Sequence, residues 1–134
     1  MTSTPRTVLV VDDEEDLREA MRRMLERRGF ATLTAAGCAE AEALCVDPGQ
    51  VIDLLLTDLT LPDASGGALA EVVTRMRPEL RVLFVSGLPR EIAVRRGLIG
   101  REAALVQKPF TSDCLAEAVR TALNLDAEIP AGTS

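Results

Sequence analysis

Ile52-Asp53-Leu54-Leu55-Leu56-Thr57-Asp58 is the stretch that decides the fold. Its three consecutive leucines allow no alternation between a wet and a dry face. An unbroken apolar strand of this kind is expected where both faces of a sheet are covered. The run ends on an acid, and the same shape recurs on either side. Thr7-Val8-Leu9-Val10-Val11 is β-branched and stops at Asp12-Asp13. Arg81 to Val85 stops at Ser86-Gly87, and Ala103 to Val106 is followed by Gln107-Lys108-Pro109-Phe110. Phe30 to Thr34 supplies a fifth short apolar run.

Longer amphipathic segments separate these strands. Asp16 to Arg28 places Leu17, Met21, Met24 and Leu25 at helical spacing, with acids at its start, arginines at its end and Gly29 to stop it, an order that suits the helix dipole. The arginine run reads as a solvated helix end. Ala39 to Val46 is an alanine-rich helix closed by Asp47-Pro48-Gly49. Ala68 to Arg77, Pro89 to Arg96, and a segment capped by Thr111 or Ser112 and running to about Leu123 complete the set. Five βα units and nothing else argue for a parallel sheet with helices on both faces.

The chain has 134 residues, enough for one domain. It carries 21 acids against 15 bases, a net charge of −6, which disfavours nucleic-acid binding by this chain alone. No apolar run approaches the roughly 18 residues of a membrane span, and the polar start does not read as a signal peptide. Cys38, Cys45 and Cys114 are odd in number and form no CxxC. They read as buried free thiols in a reducing cytoplasm. The absence of histidine excludes His-ligated metals, Ser-His and Cys-His pairs, and storage of a phosphoryl group on the chain's own histidine. One lysine, Lys108, stands against fourteen arginines.

In parallel α/β sheets the functional crevice lies at the carboxyl ends of the strands. The residues there are Asp12, Asp13, Asp58, Ser86 and Lys108. Clustered carboxylates repel one another and call for a cation. Carboxylates with carbonyl and water oxygens suit Mg²⁺. A carboxylate can also accept a phosphoryl group as an acyl phosphate. That chemistry needs charge neutralisation on the phosphoryl oxygens more than proton transfer, and Mg²⁺, the Lys108 ammonium and the Ser86 hydroxyl supply it.

The order Val8-Leu9-Val10-Val11-Asp12-Asp13, Asp58-Leu59-Thr60-Leu61-Pro62, Val85-Ser86-Gly87, Lys108-Pro109-Phe110 resembles the receiver domain of two-component response regulators, from about Thr7 to Leu123. The likeness is strongest to single-domain receivers and to receivers of hybrid sensor histidine kinases. It implies a flavodoxin-like five-stranded sheet in the order 2-1-3-4-5. It also implies that Asp58 is the phospho-acceptor, that Asp13 ligates Mg²⁺ directly with Asp12 acting through water, and that the backbone carbonyl of Thr60 is a third protein ligand. Ser86 matches the switch hydroxyl, Lys108 the lysine on the phosphoryl oxygen, and Lys108–Pro109 a bond usually cis. Pro62 and Gly66 match the rim loop. Leu105 stands where the family often has Tyr or Phe, so the aromatic–hydroxyl coupling of those members is not available in that form.

The expected organisation is an N-terminal extension over 1–6, a receiver over 7–124 and a flexible tail over 125–134. No output domain is expected after Leu123, which fits a stand-alone receiver or one excised from a longer protein. By resemblance the phosphodonor is a sensor histidine kinase or a histidine phosphotransfer protein, docking near Glu14, Glu15 and Arg18. A downstream protein target is the second expected partner. The arginines at 90, 95, 96 and 101 read as plain surface, with a face for an acidic partner as the alternative. A receiver promotes its own aspartyl phosphorylation and slow dephosphorylation without being a conventional enzyme, in the cytoplasm and away from membranes. The alternatives are a phosphorylation-independent interaction module on the same fold and an aspartate-nucleophile phosphatase. The phosphatase lacks its second acid, because Thr60 occupies that place.

Overall fold

The structure, a computed structural model, describes residues 4–124. The tail expected over 125–134 and the first three residues of the N-terminal extension lie outside the described residues. Among the described residues ten elements alternate strictly: β1 Thr7–Val11, α1 Glu15–Arg27, β2 Ala31–Ala35, α2 Cys38–Val46, β3 Leu54–Asp58, α3 Gly66–Met76, β4 Arg81–Ser86, α4 Arg90–Arg95, β5 Ala104–Gln107 and α5 Ser112–Ala122. All pairings are parallel and the order is β2-β1-β3-β4-β5, as the family resemblance implies.

Side chains of adjacent strand residues point to opposite faces, and here both faces are filled. Val8, Val10, Leu54, Leu56, Leu83 and Val85 pack beneath Met21 and Leu25 of α1 and Leu115 and Val119 of α5. Leu9, Val11 and Leu55 pack beneath Ala41 and Cys45 of α2 and Leu69 and Val73 of α3. This double cover explains the unbroken apolar runs. Each such aliphatic side chain contributes about 1.5–3 kcal/mol of burial. A smaller cluster of Leu59, Phe84, Ala93 and Ile99 lies under α4, with Leu105 packed against it.

The element bounds shift by a residue or two from the sequence reading, for visible reasons. β3 starts at Leu54 rather than Ile52 because the Asp53 carboxylate turns to accept the Thr7 N–H at 2.7 Å. α3 starts at Gly66 rather than Ala68 because Ser65 caps it, its hydroxyl accepting the Ala68 N–H at 3.0 Å. α1 closes on Gly29 at φ +92°, a left-handed turn that glycine makes without strain. Three of its arginines form ion pairs: Arg22 with Glu19 and Glu26, Arg23 with Glu19, and Arg28 with Asp113 of α5. One expectation is corrected. Cys38 and Cys45 are buried free thiols, but Cys114 is exposed, because it lies on the outward side of the first turn of α5. No described helix is long and apolar enough to cross a membrane.

Candidate functional site at the carboxyl edge of the sheet

β1, β3, β4 and β5 deliver their last residues to one edge. Asp12 follows β1 and is 1% exposed. Its Oδ1 accepts the Glu14 N–H at 2.8 Å and so shapes the turn into α1. Its Oδ2 is buried without a hydrogen-bond partner. Burial raises the Asp12 pKa above the usual carboxylate value, against the pull of the Glu14 N–H and of Lys108. Asp13 is exposed beside it, and Asp58 closes β3. Carboxylate oxygens of Asp12, Asp13 and Asp58 all lie within 4.8 Å of one another.

Lys108 stands over this cluster. Its Nζ donates to Asp58 Oδ2 at 2.9 Å and lies 3.8 Å from Asp12 Oδ2. Partial burial disfavours the ammonium, but the hydrogen bond and charge of Asp58, with the charges of Asp12 and Glu14, outweigh it and hold the Lys108 pKa above its ordinary value. The other Asp58 oxygen, Oδ1, accepts the Thr60 N–H at 3.1 Å. The Lys108–Pro109 peptide is cis. The Lys108 N–H donates to the Ser86 carbonyl at 2.8 Å, which registers β4 beside β5 at the site.

Ser86 is 4% exposed. Its hydroxyl accepts the Leu88 N–H at 3.0 Å and forms no hydrogen bond to the acidic cluster. Thr60 is exposed and tied to Asp58 by its N–H, and it bridges to Ser65 across the loop.

Two supporting features escape a motif reading. Arg18 of α1 donates to the Asp12 carbonyl at 2.8 Å and fastens the acidic loop to the helix. Thr57 is fully buried and its hydroxyl donates to the Asp58 carbonyl at 2.9 Å. A polar residue in an otherwise apolar strand was the available signal for Thr57. Gly66 packs its backbone directly on the acceptor: a Cβ there would meet the Asp58 carbonyl oxygen at 2.1 Å.

Such an edge can bind a hard cation between its carboxylates and hold a lysine against an anionic group on Asp58. A doubly wound α/β sheet bearing a carboxylate–lysine site at its carboxyl edge is the class of protein that fold and site define. The sequence matches the response regulator receiver domain over residues 8–120, and the chain belongs to that family of two-component systems. It is 29% identical over 117 residues to the sensor kinase CckA of Brucella abortus, covering 87% of this chain and 12% of CckA. It is also 29% identical over 106 residues to the response regulator receiver protein CpdR of Brucella abortus, covering 78% of this chain and 86% of CpdR. The crystal structure of a response regulator receiver protein from Sinorhizobium medicae superposes with a TM-score of 0.77 at 27% identity, covering 90% of this chain and 95% of that one. The chain spans only 12% to 26% of the length of several relatives, CckA among them.

Proposed function

We propose that this receiver accepts a phosphoryl group on Asp58 from a phosphohistidine of another protein, and that it works as a phospho-switch or a phosphorelay intermediate. The observation that carries the reading is the cluster itself. Oxygens of three carboxylates lie within 4.8 Å of one another, one of them is buried without a hydrogen bond, and the sole lysine of the chain ion-pairs with two of the carboxylates. A buried carboxylate oxygen without a hydrogen bond is costly, and a water held by a divalent cation would satisfy it. The donor set is all oxygen and partly water-accessible, which fits Mg²⁺.

Asp13, Asp58 and the Thr60 carbonyl would hold the metal, with Asp12 contributing through a bound water. When bound, Mg²⁺ neutralises charge on the phosphoryl oxygens. A carboxylate oxygen of Asp58 attacks phosphorus, the N–P bond to the donor imidazole breaks, and the imidazole nitrogen keeps the electron pair. Lys108, already 2.9 Å from Asp58, moves its ammonium onto a phosphoryl oxygen as the Asp58 charge is esterified. The Ser86 hydroxyl exchanges its Leu88 N–H for the phosphoryl group. Residues 7–124 form the receiver unit, and the chain promotes its own phosphorylation and slow dephosphorylation in the cytoplasm. Similarity to the sensor kinase CckA and to CpdR supports a histidine kinase or phosphotransfer protein as donor, meeting the site near Glu14, Glu15 and Arg18. A downstream protein is the second partner.

Intact-mass spectrometry tests this after incubation with a small acyl phosphate, with and without Mg²⁺. The expected result is one added phosphoryl group that requires Mg²⁺ and is absent in Asp58→Asn. No gain, together with no Mg²⁺ binding, would sink the reading and leave an interaction module.

A further inference from the structure

The loop between β3 and α3 does more than close the rim of the site. Asp63 leaves the carboxylate edge and caps a helix that belongs to another βα unit. Its Oδ1 accepts the Cys38 N–H and its Oδ2 the Ala39 N–H, each at 3.0 Å. α2 has no cap of its own, since Gly37 stands at the N-cap and offers no side chain. A Cβ on Gly37 would lie 3.0 Å from Asp63 Oδ1, so glycine leaves the space that the carboxylate fills. Within the loop, Thr60 bridges to Ser65 and the Leu61 N–H donates to the Ala64 carbonyl at 3.2 Å. Thr60 and Asp63 therefore belong to one short cross-bonded turn. One side of that turn is fastened to the Asp58 carboxylate and the other to the amides of α2.

We propose that Asp63 is a positioning residue for the metal site. By fixing the turn to α2 it holds Thr60 in place, and it makes the docking of the α2 N-terminus and the binding of Mg²⁺ one coupled equilibrium. The inference rests on the assignment of Thr60 to the metal site made above. Coupling of this kind is reciprocal: the factor by which the intact Asp63 cap tightens Mg²⁺ is the factor by which Mg²⁺ tightens the cap.

Two measurements on the full chain test it: Mg²⁺ affinity by titration calorimetry, and hydrogen exchange at the Cys38 and Ala39 amides with and without Mg²⁺. In Asp63→Ala, Mg²⁺ affinity should fall about fivefold or more. In the unaltered chain, Mg²⁺ should slow exchange at both amides by a similar factor. Asp63→Asn keeps one acceptor oxygen and should show an intermediate loss, and it serves if the alanine variant fails to fold. Thr111→Ala removes the cap of α5 instead and should leave Mg²⁺ affinity unchanged, which separates positioning from general loss of stability. Unchanged affinity in both Asp63 variants, with exchange at Cys38 and Ala39 accelerated, would overturn the proposal and leave Asp63 a helix cap. If the unaltered chain binds no Mg²⁺, the phosphoryl-transfer reading falls first and this inference falls with it.

Discussion

Asp12 is 1% exposed, and its Oδ2 accepts no hydrogen bond, which makes the charged carboxylate unfavourable there. Burial raises its pKa in the folded chain. Below the unfolded carboxylate pKa of about 3.9 the group is neutral in both states. As pH rises through the raised folded value, the folded chain must ionise it at a cost that the unfolded chain does not bear, and stability is lost. Asp12→Asn should therefore stabilise the metal-free protein at neutral pH by about 1–3 kcal/mol, and the gain should shrink as pH is lowered. Thermal denaturation across a pH series measures both. Gly66 makes an opposite prediction. With a Cβ forced to 2.1 Å from the Asp58 carbonyl, Gly66→Ala should cost about 1–3 kcal/mol and lower the yield of phosphorylated Asp58, read by denaturant midpoint and intact mass.

At the scale of elements, the helices differ in how their ends are satisfied. α3 and α5 carry their own caps: Ser65 accepts from Ala68, and the Thr111 hydroxyl accepts the Cys114 N–H at 3.0 Å. Thr111→Ala should cost about 1 kcal/mol, visible as a lower denaturation midpoint at unchanged slope. α2 is held from outside at both ends. Asp63 binds its first amides, and Arg77, at the C-cap of α3, donates to the Cys45 carbonyl at 2.9 Å and the Asp47 carbonyl at 2.7 Å. Of the arginines after β4, which the sequence reads as plain surface, Arg90 supports a loop. Arg90 donates to the Arg101 and Ala103 carbonyls, which brings α4 against the approach to β5. Leu105 packs with Phe84 and Ile99 beneath α4, so an aliphatic side chain occupies the wall where many receivers carry an aromatic ring.

For the whole molecule, the acidic edge is a concentration of like charge that folding imposes on β1 and β3. A cation that binds the folded chain alone should stabilise it by mass action, by about 2.7 kcal/mol at a hundredfold excess over its Kd. Addition of Mg²⁺ should raise the thermal midpoint and a chelator should reverse it, whereas Asp13→Asn should abolish the shift.

The sequence by itself determined the alternation of five strands and five helices. Apolar runs broken by acids, glycines and prolines are local signals, and covered strands such as Leu54-Leu55-Leu56 cannot alternate. It also placed Asp12, Asp13, Asp58, Ser86 and Lys108 at strand ends, because the turn follows directly where the apolar run stops. Tertiary structure alone decided which oxygen of Asp12 lacks a hydrogen bond, that Lys108 ion-pairs with Asp58 and Asp12, and that Arg18 and Thr57 fasten the backbone beneath the acids. It also decided that Asp63 caps a helix 24 residues earlier in the chain. These contacts join segments far apart in sequence, and their geometry is set by strand register and helix packing, which no local pattern encodes.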